Sequence, residues 1–282
     1  MRRVTLACLM LMLAAPAAFT EPYLVSWDGS DWPDVPGAPW YRIWGTWQGD
    51  YQGPGAIRTL QGGILSYDSL ADLGIYDYYE VDRPGQLDPG PVEVFIAQWR
   101  VRVDQVVGSW PYDPGLAVQS NESWGVCLVL GAGAVLSVYE QVTVATYPAP
   151  PPGEPGEFHS FDLRSSDMRT YTLAMDGEVV HEGAFHHSLS VSWVAWGDSV
   201  MGTASVHQWD YFRFGVAALL RGDVNCDGTI DFADINPFVA LLTGGGGSEP
   251  VPPGCLTENA DINGDGSVDF GDINPFVDLL TS

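Results

Sequence analysis

The chain has 282 residues and a formal net charge of −25 at pH 7, from 36 acidic and 11 basic residues. This charge argues against nucleic acid and anionic membrane surfaces as partners, and it favours cations. A hydrophobic fraction of 46%, with 11 Trp, 12 Tyr and 11 Phe, excludes a disordered acidic chain. The 33 Gly and 21 Pro residues, many of them between apolar runs, indicate many turns and a β-rich body.

The first 17 residues are typical of a secretory signal peptide. Residues 1–3 (MRR) are basic, residues 4–15 are apolar, and residues 15–17 (APA) match a cleavage site. The apolar stretch is too short to span a bilayer. We therefore predict a secreted protein, extracellular or associated with the cell surface, without membrane insertion.

Residues 18–216 show the period-2 alternation of β-strands. The segments 131–133 (GAG) and 176–177 (DG) are turn signals between strands. We predict strands at residues 91–106, 125–130, 134–144, 169–175, 178–185, around 191–195 and 205–216. Many short strands predict an all-β sandwich. The proline-rich segment 147–156 is either an interdomain linker or a long loop between two strands.

The last predicted strand has a definite expected orientation. Strict alternation would put Trp209, Tyr211 and Arg213 on one face of the sheet. The opposite face would then carry Phe212, Phe214 and Val216.

Three segments of the body are FHSFDL (158–163), YTLAMDG (171–177) and WDYFRF (209–214). They resemble the concanavalin A-like lectin/glucanase superfamily in its laminin-G-like form, and the likeness covers residues 18–216. The resemblance implies a jelly-roll β-sandwich. It implies fold far better than function.

The sequence does not predict a catalytic sandwich. Members of that superfamily that cleave β-glucans carry E-x-D-x-E on one strand, and this chain has no such motif. Glu80 and Asp82 are two residues apart, but Pro84 takes the third place. The five histidines show no order typical of a catalytic or metal site.

Aromatic residues crowd the N-terminal part of the body. They either fill the sandwich core or form an exposed platform on which sugar rings could stack. No single residue is predicted as a carbohydrate contact. The crowded residues are Trp27, Trp32, Trp40, Tyr41, Trp44, Trp47, Tyr51, Tyr76, Tyr78 and Tyr79.

A duplicated acidic segment ends the chain. Residues 223–242 and 261–280 are identical at 14 of 20 positions. Each copy has oxygen-bearing side chains at positions 1, 3, 5, 9 and 12, a backbone carbonyl available at position 7, and glycine at position 6, which is the spacing of a twelve-residue calcium loop. We predict two calcium ions. The ligands would be Asp223, Asn225, Asp227, Thr229, Asp231 and Asp234 in one loop, and Asp261, Asn263, Asp265, Ser267, Asp269 and Asp272 in the other.

A short amphipathic helix is predicted after each loop. Ile235, Phe238, Val239 and Leu242 fall at i, i+3, i+4 and i+7, and the second copy repeats this spacing. A loop with this spacing followed by a short helix, duplicated within about 60 residues, resembles a type I dockerin over residues 221–282. The resemblance implies a small α-helical domain with paired EF-hand-type loops. It also implies docking onto a cohesin-like domain or another surface or scaffold protein.

The duplicated segment departs from the dockerin pattern in two ways. Loop positions 10 and 11 are Phe232-Ala233 and Phe270-Gly271, where cellulosomal dockerins commonly carry small hydroxyl residues. The helices also hold no Lys or Arg. The two copies either present equivalent faces to one partner or exist to bury each other's helices.

Three cysteines follow the signal peptide. In an exported protein, Cys226 and Cys255 are predicted to form a disulfide, the alternative being two unpaired thiols, and Cys127 is predicted to be buried and free.

Three classes of function remain. The first is an exported calcium-binding protein with a non-catalytic, carbohydrate-binding sandwich and a dockerin-type module for protein–protein assembly. The second is a glycoside hydrolase or another polysaccharide-degrading enzyme on the same sandwich. The third is a structural surface or matrix protein.

Overall fold

The chain divides between Leu219 and Leu220 into two compact units. The predicted signal peptide lies outside the described residues, and so do Cys226 and Cys255 with their predicted disulfide. The computed structural model describes residues 25–45, 57–71, 76–82, 86–90, 93–120, 124–187, 193–198, 203–225, 227–243 and 257–281.

The first unit is a sandwich of two antiparallel β-sheets, as predicted. Its described strands are β1 (Val25–Trp27), β2 (Tyr41–Gly45), β3 (Ile57–Gln61), β4 (Ile64–Asp68), β5 (Tyr76–Asp82), β6 (Glu93–Gly108), β7 (Pro114–Gln119), β8 (Trp124–Leu130), β9 (Ala134–Ser137), β10 (Val142–Thr146), β11 (His159–Ser165), β12 (Thr170–Met175), β13 (Glu178–Ala184), β14 (His186–His187), β15 (Trp193–Asp198) and β16 (Thr203–Ala218).

Each sheet has eight described strands. The first sheet has the order β13-β12-β11-β6-β16-β4-β3, and β1 also pairs with β16. The second sheet has the order β10-β9-β8-β7-β15-β5-β2, and β14 also pairs with β8. The segment after β10 therefore leads from the second sheet to β11 of the first sheet, within the same unit.

The core lies between the two sheets and is rich in aromatic side chains. Trp196 is at its centre, because its ring contacts those of Trp27, Trp40 and Phe212. These buried rings come from both sheets, since Trp196 lies on β15 and Phe212 on β16. The sequence did not decide whether the crowded aromatic residues belong to the core or to an exposed platform. The structure buries three of them in the core, namely Trp27, Trp40 and Tyr79.

Two of the predicted strand patterns need correction. The segment 134–144 is not one strand, because the chain turns at residues 138–141 and continues as β10, which pairs back onto β9. In β16, a register shift between Trp209 and Tyr211 interrupts the alternation. The extra residue of this bulge brings Trp209 to the same buried side as Phe212 and Phe214.

The second unit contains two copies of a short 3₁₀ turn followed by a helix. The turns are Phe232–Asp234 and Phe270–Asp272, and they lead into α1 (Ile235–Leu242) and α2 (Ile273–Thr281). A further 3₁₀ turn covers Thr257–Ala260. No helix in the described part of the chain is long and apolar enough to cross a membrane.

The two helices meet through one residue of each copy. The rings of Phe238 and Phe276 are 4.4 Å apart, and both are buried together with Val224 and Ala260. Ile235 and Val239 are exposed instead. The apolar face predicted for this helix is therefore only partly buried. Phe238 lies on the side that faces the other helix, whereas Ile235 and Val239 lie on a side that faces solvent.

Candidate functional site

The first predicted calcium loop is coiled around its first and last carboxylates. Asp223, at position 1, accepts hydrogen bonds from the N–H groups of Asp227 (3.1 Å) and Gly228 (3.0 Å). Asp234, at position 12, accepts from the N–H groups of Asn225 and Asp231, each at 2.9 Å. These four bonds bring the two ends of the loop together.

The second loop repeats this arrangement bond for bond. Asp261 accepts from the N–H groups of Asp265 and Gly266, each at 3.1 Å. Asp272 accepts from those of Asn263 (3.0 Å) and Asp269 (2.9 Å). The glycine at position 6 has a positive φ in both copies, 87° and 91°, which is the conformation that a sharp turn requires at this point.

The other predicted ligands lie on the exposed side of each loop. Asp227 accepts from the hydroxyl group of Thr229 (2.6 Å) and from the side-chain amide of Asn225 (3.0 Å). Asp265 accepts from the N–H group of Ser267 (3.0 Å) and the amide of Asn263 (2.9 Å). Asp231 and Asp269 cap the 3₁₀ turns that follow.

The donor set of each loop fits a hard cation. It consists of carboxylate, amide and backbone oxygens, which are the ligands that calcium prefers in proteins. The loop carboxylates accept backbone N–H bonds, and no three His, Cys, Asp or Glu side chains of the described ranges form a metal site as they stand. The residues therefore fit calcium in the chemistry of their oxygens and in the loop conformation.

Two residues that the sequence patterns did not single out hold the loops in place. Asn259 is buried; its side chain accepts from the N–H group of Leu220 and donates to the carbonyl of Asp223 (2.8 Å). Arg221 forms an ion pair with Asp261, 3.0 Å between Nη1 and Oδ2. Each joins the beginning of one copy to the other copy, which a pattern within a single copy does not reveal.

Each copy leaves an apolar stripe on the surface. Phe232 and Phe270 are 72% and 79% exposed. Each stripe continues along the helix through an Ile and a Val, at Ile235 and Val239 in the first copy and at the equivalent positions of the second. We call the two sets the twin stripes. Contiguous exposed apolar surface of this kind marks interaction sites in soluble proteins.

Two carboxylates and a tyrosine hydroxyl group lie together on the outer face of the second sheet. Glu80 and Asp82 point away from the core, because they alternate along β5 with the buried Tyr79 and Val81. The hydroxyl group of Tyr41, on the neighbouring β2, lies 2.7 Å from Glu80 Oε1 and 3.1 Å from Asp82 Oδ2. Both carboxylates therefore accept from the same hydroxyl group, and their two oxygens are at most about 6 Å apart.

Glu80 and Asp82 differ in how far they are buried. Burial raises the pKa of Glu80, and the neighbouring Asp82 raises it further, although the hydrogen bond from Tyr41 acts in the opposite direction. Asp82 is exposed. Burial and the hydrogen bond to Glu80 raise the pKa of the Tyr41 hydroxyl, which stays protonated and can donate.

Small side chains lie beside this acidic pair. In the strand register, Glu80 is opposite Ala195 of β15, and Ala195 is opposite Ala117 of β7. Trp193, which is half-buried, lies opposite Asp82 on the same face. An aromatic ring and carboxylates beside a surface of small side chains can contact a sugar by ring stacking and by hydrogen bonds to its hydroxyl groups. We call Tyr41, Glu80, Asp82 and Trp193 the outer-face patch.

Other predicted features of the sandwich fall elsewhere. Cys127 is free and half-buried on β8, and burial raises the pKa of its thiol to about 12, so it is an unreactive thiol at neutral pH. Trp32 is half-buried beside the core. The side chains of Trp44 and Tyr76, and the whole of Trp47 and Tyr51, lie outside the described part of the structure.

Comparisons with known proteins assign no family to the chain. No protein-family model matches it, and no curated protein does. The solved structures that it matches include an endo-1,3-β-glucanase from Streptomyces sioyaensis, at 13% identity and a TM-score of 0.48, over 73% of this chain and 100% of the enzyme chain.

Two further matches cover less of the other protein. One is the binding domain of botulinum neurotoxin DC in complex with rat synaptotagmin II, at 8% identity and a TM-score of 0.44, over 71% of this chain and 49% of that one. The other is a sialidase, at 12% identity and a TM-score of 0.39, over 73% of this chain and 19% of that one. The sandwich architecture itself follows from the strand pairing described above.

Proposed function

We propose that this protein binds a glycan through its sandwich and is attached to a partner protein through a calcium-loaded, dockerin-like C-terminal module. The observation that supports the glycan site is the Tyr41 hydroxyl group, which joins two outward-facing carboxylates beside Trp193 and a floor of alanines. Carboxylates accept hydrogen bonds from sugar hydroxyls, and an indole ring stacks on the C–H face of a sugar.

A glycan array probed with the full chain tests this site. Binding of the parent protein to a polysaccharide, and its loss in Trp193→Ala and Glu80→Gln, would support the proposal. Val179→Ala is the matched control, because Val179 is exposed on β13 of the other sheet. No binding on a broad array, or equal loss in the control, would contradict it and favour a structural surface or matrix role.

For the module, two equivalent loops and two equivalent stripes support the proposal. Calcium would be held by the six predicted ligands of each loop and would supply the folding free energy that a small core cannot. Phe232 and Phe270, the most exposed apolar residues of the stripes, would then contact the partner. Because the copies are equivalent, either stripe could take the same partner surface.

Calorimetry and surface binding test the module separately from the sandwich. Asp223→Ala should remove one bound calcium ion from the full chain, and Asp261→Ala should do the same. Binding to an immobilised cohesin domain in calcium should need at least one of the two phenylalanines, so Phe232→Ser with Phe270→Ser abolishes it while each single change does not. Absence of cohesin binding by the parent would leave another surface or scaffold protein as the partner of the stripes.

A second function is favoured by one specific observation. The Glu80 and Asp82 oxygens are within about 6 Å of each other, and the raised pKa of Glu80 suits a general acid. In a glycoside hydrolase, Glu80 would protonate the leaving oxygen and Asp82 would act as nucleophile. Reducing-sugar release from a bound glycan, lost in Asp82→Asn while the glycan still binds, would establish this enzyme; binding without release by the parent would exclude it for that glycan.

A further inference from the structure

The outer-face patch is continuous with a row of residues that crosses the second sheet. These residues point outward, because they alternate along their strands with residues of the buried core. Neighbouring strands are about 4.8 Å apart, so a row that crosses five strands is about 19 Å long. In the strand register the row consists of Tyr41 on β2, Glu80 on β5, Ala195 on β15, Ala117 on β7 and Cys127 on β8.

The second half of this row lies at the bottom of a concave surface. Ala117 and Cys127 both keep a part of their surface open to solvent. Burial nevertheless raises the pKa of the Cys127 thiol to about 12. A side chain has both properties when protein surrounds it on most sides and one side stays open. The larger residues of the adjoining rows are Trp193 and Gln119 on one side of the floor, and Tyr78 and Val129 on the other.

An exposed aromatic ring lies at the far end of the row. Tyr139, in the turn after β9, is 40% exposed, and the N–H group of the preceding Val138 donates to the carbonyl of Cys127 (2.9 Å). The ring centroids of Tyr139 and His186 are 6.0 Å apart. His186 lies on the outer face, opposite Gly125 of β8, and its Nε2 atom has no hydrogen-bond partner among the described residues. The far end therefore combines an aromatic ring with an unpaired polar atom, as a sugar site requires.

The charges at this groove favour an uncharged ligand. The residues named along it include no Lys or Arg, and their carboxylates are those of Glu80 and Asp82. An acidic polymer would be repelled by these two groups and by the net charge of −25. The hydroxyl groups of a neutral sugar can donate to the carboxylates at one end and pair with His186 at the other.

We propose that the outer-face patch is one end of a groove that binds several consecutive residues of a linear, neutral polysaccharide, and that Tyr139 and His186 bind the sugars at the other end. This inference rests on the proposed glycan-binding function and specifies its ligand. The ligand is an extended chain that lies across the strands from β2 to the turn after β9. A single terminal sugar would occupy the outer-face patch alone.

Titration calorimetry of the full chain with neutral oligosaccharides tests the groove. The probes are the linear gluco-, manno- and xylo-oligosaccharides, from the disaccharide to the octasaccharide. For the series that binds, affinity should rise with chain length until the sugar spans the groove. Tyr139→Ala should weaken binding of the octasaccharide about tenfold, because one stacking ring is lost, and should leave the disaccharide unaffected. Val179→Ala, exposed on the other sheet, is the matched control and should change neither.

A second variant fills the groove without removing a contact at either end. Ala117→Trp places an indole on the floor, at a half-buried position of the outer face, so the core is left intact. It should abolish octasaccharide binding and retain disaccharide binding. Because Tyr139 is on the surface, Tyr139→Ala covers the case in which Ala117→Trp does not fold.

The outcomes separate this inference from the proposed function. Disaccharide binding that is lost in Trp193→Ala, with no gain in affinity for longer chains or no effect of Tyr139→Ala on them, would overturn the groove and leave the outer-face patch as the glycan site. A parent that binds none of the oligosaccharides and no polysaccharide on the array would contradict both. Length-dependent affinity that Tyr139→Ala reduces for the octasaccharide alone would support the groove.

Discussion

The interactions that stabilise each of the two units are different. The sandwich buries a continuous cluster of aromatic and aliphatic side chains, in which Trp196 contacts residues of both sheets. In the described part of the second unit the buried apolar cluster is small and consists of Val224, Phe238, Ala260 and Phe276, and Pro237 of α1 is also buried. Its loops are held by carboxylates that accept backbone N–H bonds. The sandwich is therefore stabilised mainly by the burial of apolar side chains, whereas the second unit combines a small apolar core with hydrogen bonds to its loop carboxylates.

The largest expected effect is the removal of calcium. EDTA should abolish the helical circular dichroism of α1 and α2 and open residues 220–281 to thermolysin, because a core of this size does not offset the repulsion among the loop carboxylates. The sandwich should stay folded, as reported by native tryptophan fluorescence. A helical signal and a cleavage pattern unchanged by EDTA would remove the distinction between the units.

The next effect concerns the core of the sandwich. Trp196→Ala should lower the free energy of unfolding by about 3–5 kcal/mol, since it leaves a large cavity among five neighbouring rings. Urea denaturation followed by the remaining tryptophans measures this loss. Val179→Ala, at an exposed position of β13, serves as the control with an expected change near zero.

A smaller effect depends on pH and is confined to the sandwich. His207 is fully buried, and burial lowers its pKa to about 3, whereas the unfolded chain has a value of about 6.5. The unfolded state therefore binds a proton first as the pH falls. Stability is fully present above pH 6.5 and is lost toward pH 3, by about 1.4 kcal/mol per pH unit.

Urea midpoints between pH 7 and 5 measure this dependence. His207→Gln should flatten the slope, even if it lowers stability at pH 7, because the variant has no group at this position to titrate. Val179→Ala, which removes no titratable group, should leave the slope unchanged. Equal slopes for the parent and His207→Gln would contradict the assignment to His207.

The smallest expected effect is at the twin stripes. Phe232→Ser and Phe270→Ser should each change the free energy of unfolding of the second unit by no more than about 0.5 kcal/mol, because these rings contact mainly solvent. Calcium-dependent thermal unfolding followed by circular dichroism is the measurement. A large loss of stability would show that the stripes are structural and do not serve a partner.

Local patterns predicted much of the sandwich. The expected strands at 125–130 and 178–185 correspond closely to β8 and β13, because alternation and turn residues are properties of neighbouring residues. The bulge that turns Trp209 inward was not predictable, since it depends on how β16 pairs with β6. The same holds for the outer-face patch, whose Tyr41 and Glu80 are 39 residues apart.

Patterns among neighbouring residues predict the all-β character of the body and the two acidic loops at the end, whose predicted ligands follow each other within twelve residues. Those features depend on the chemistry of adjacent residues. Only the tertiary fold buries particular aromatic side chains and brings Tyr41 into contact with both Glu80 and Asp82. These groups come from strands far apart in the chain, and only the pairing of the strands places them side by side.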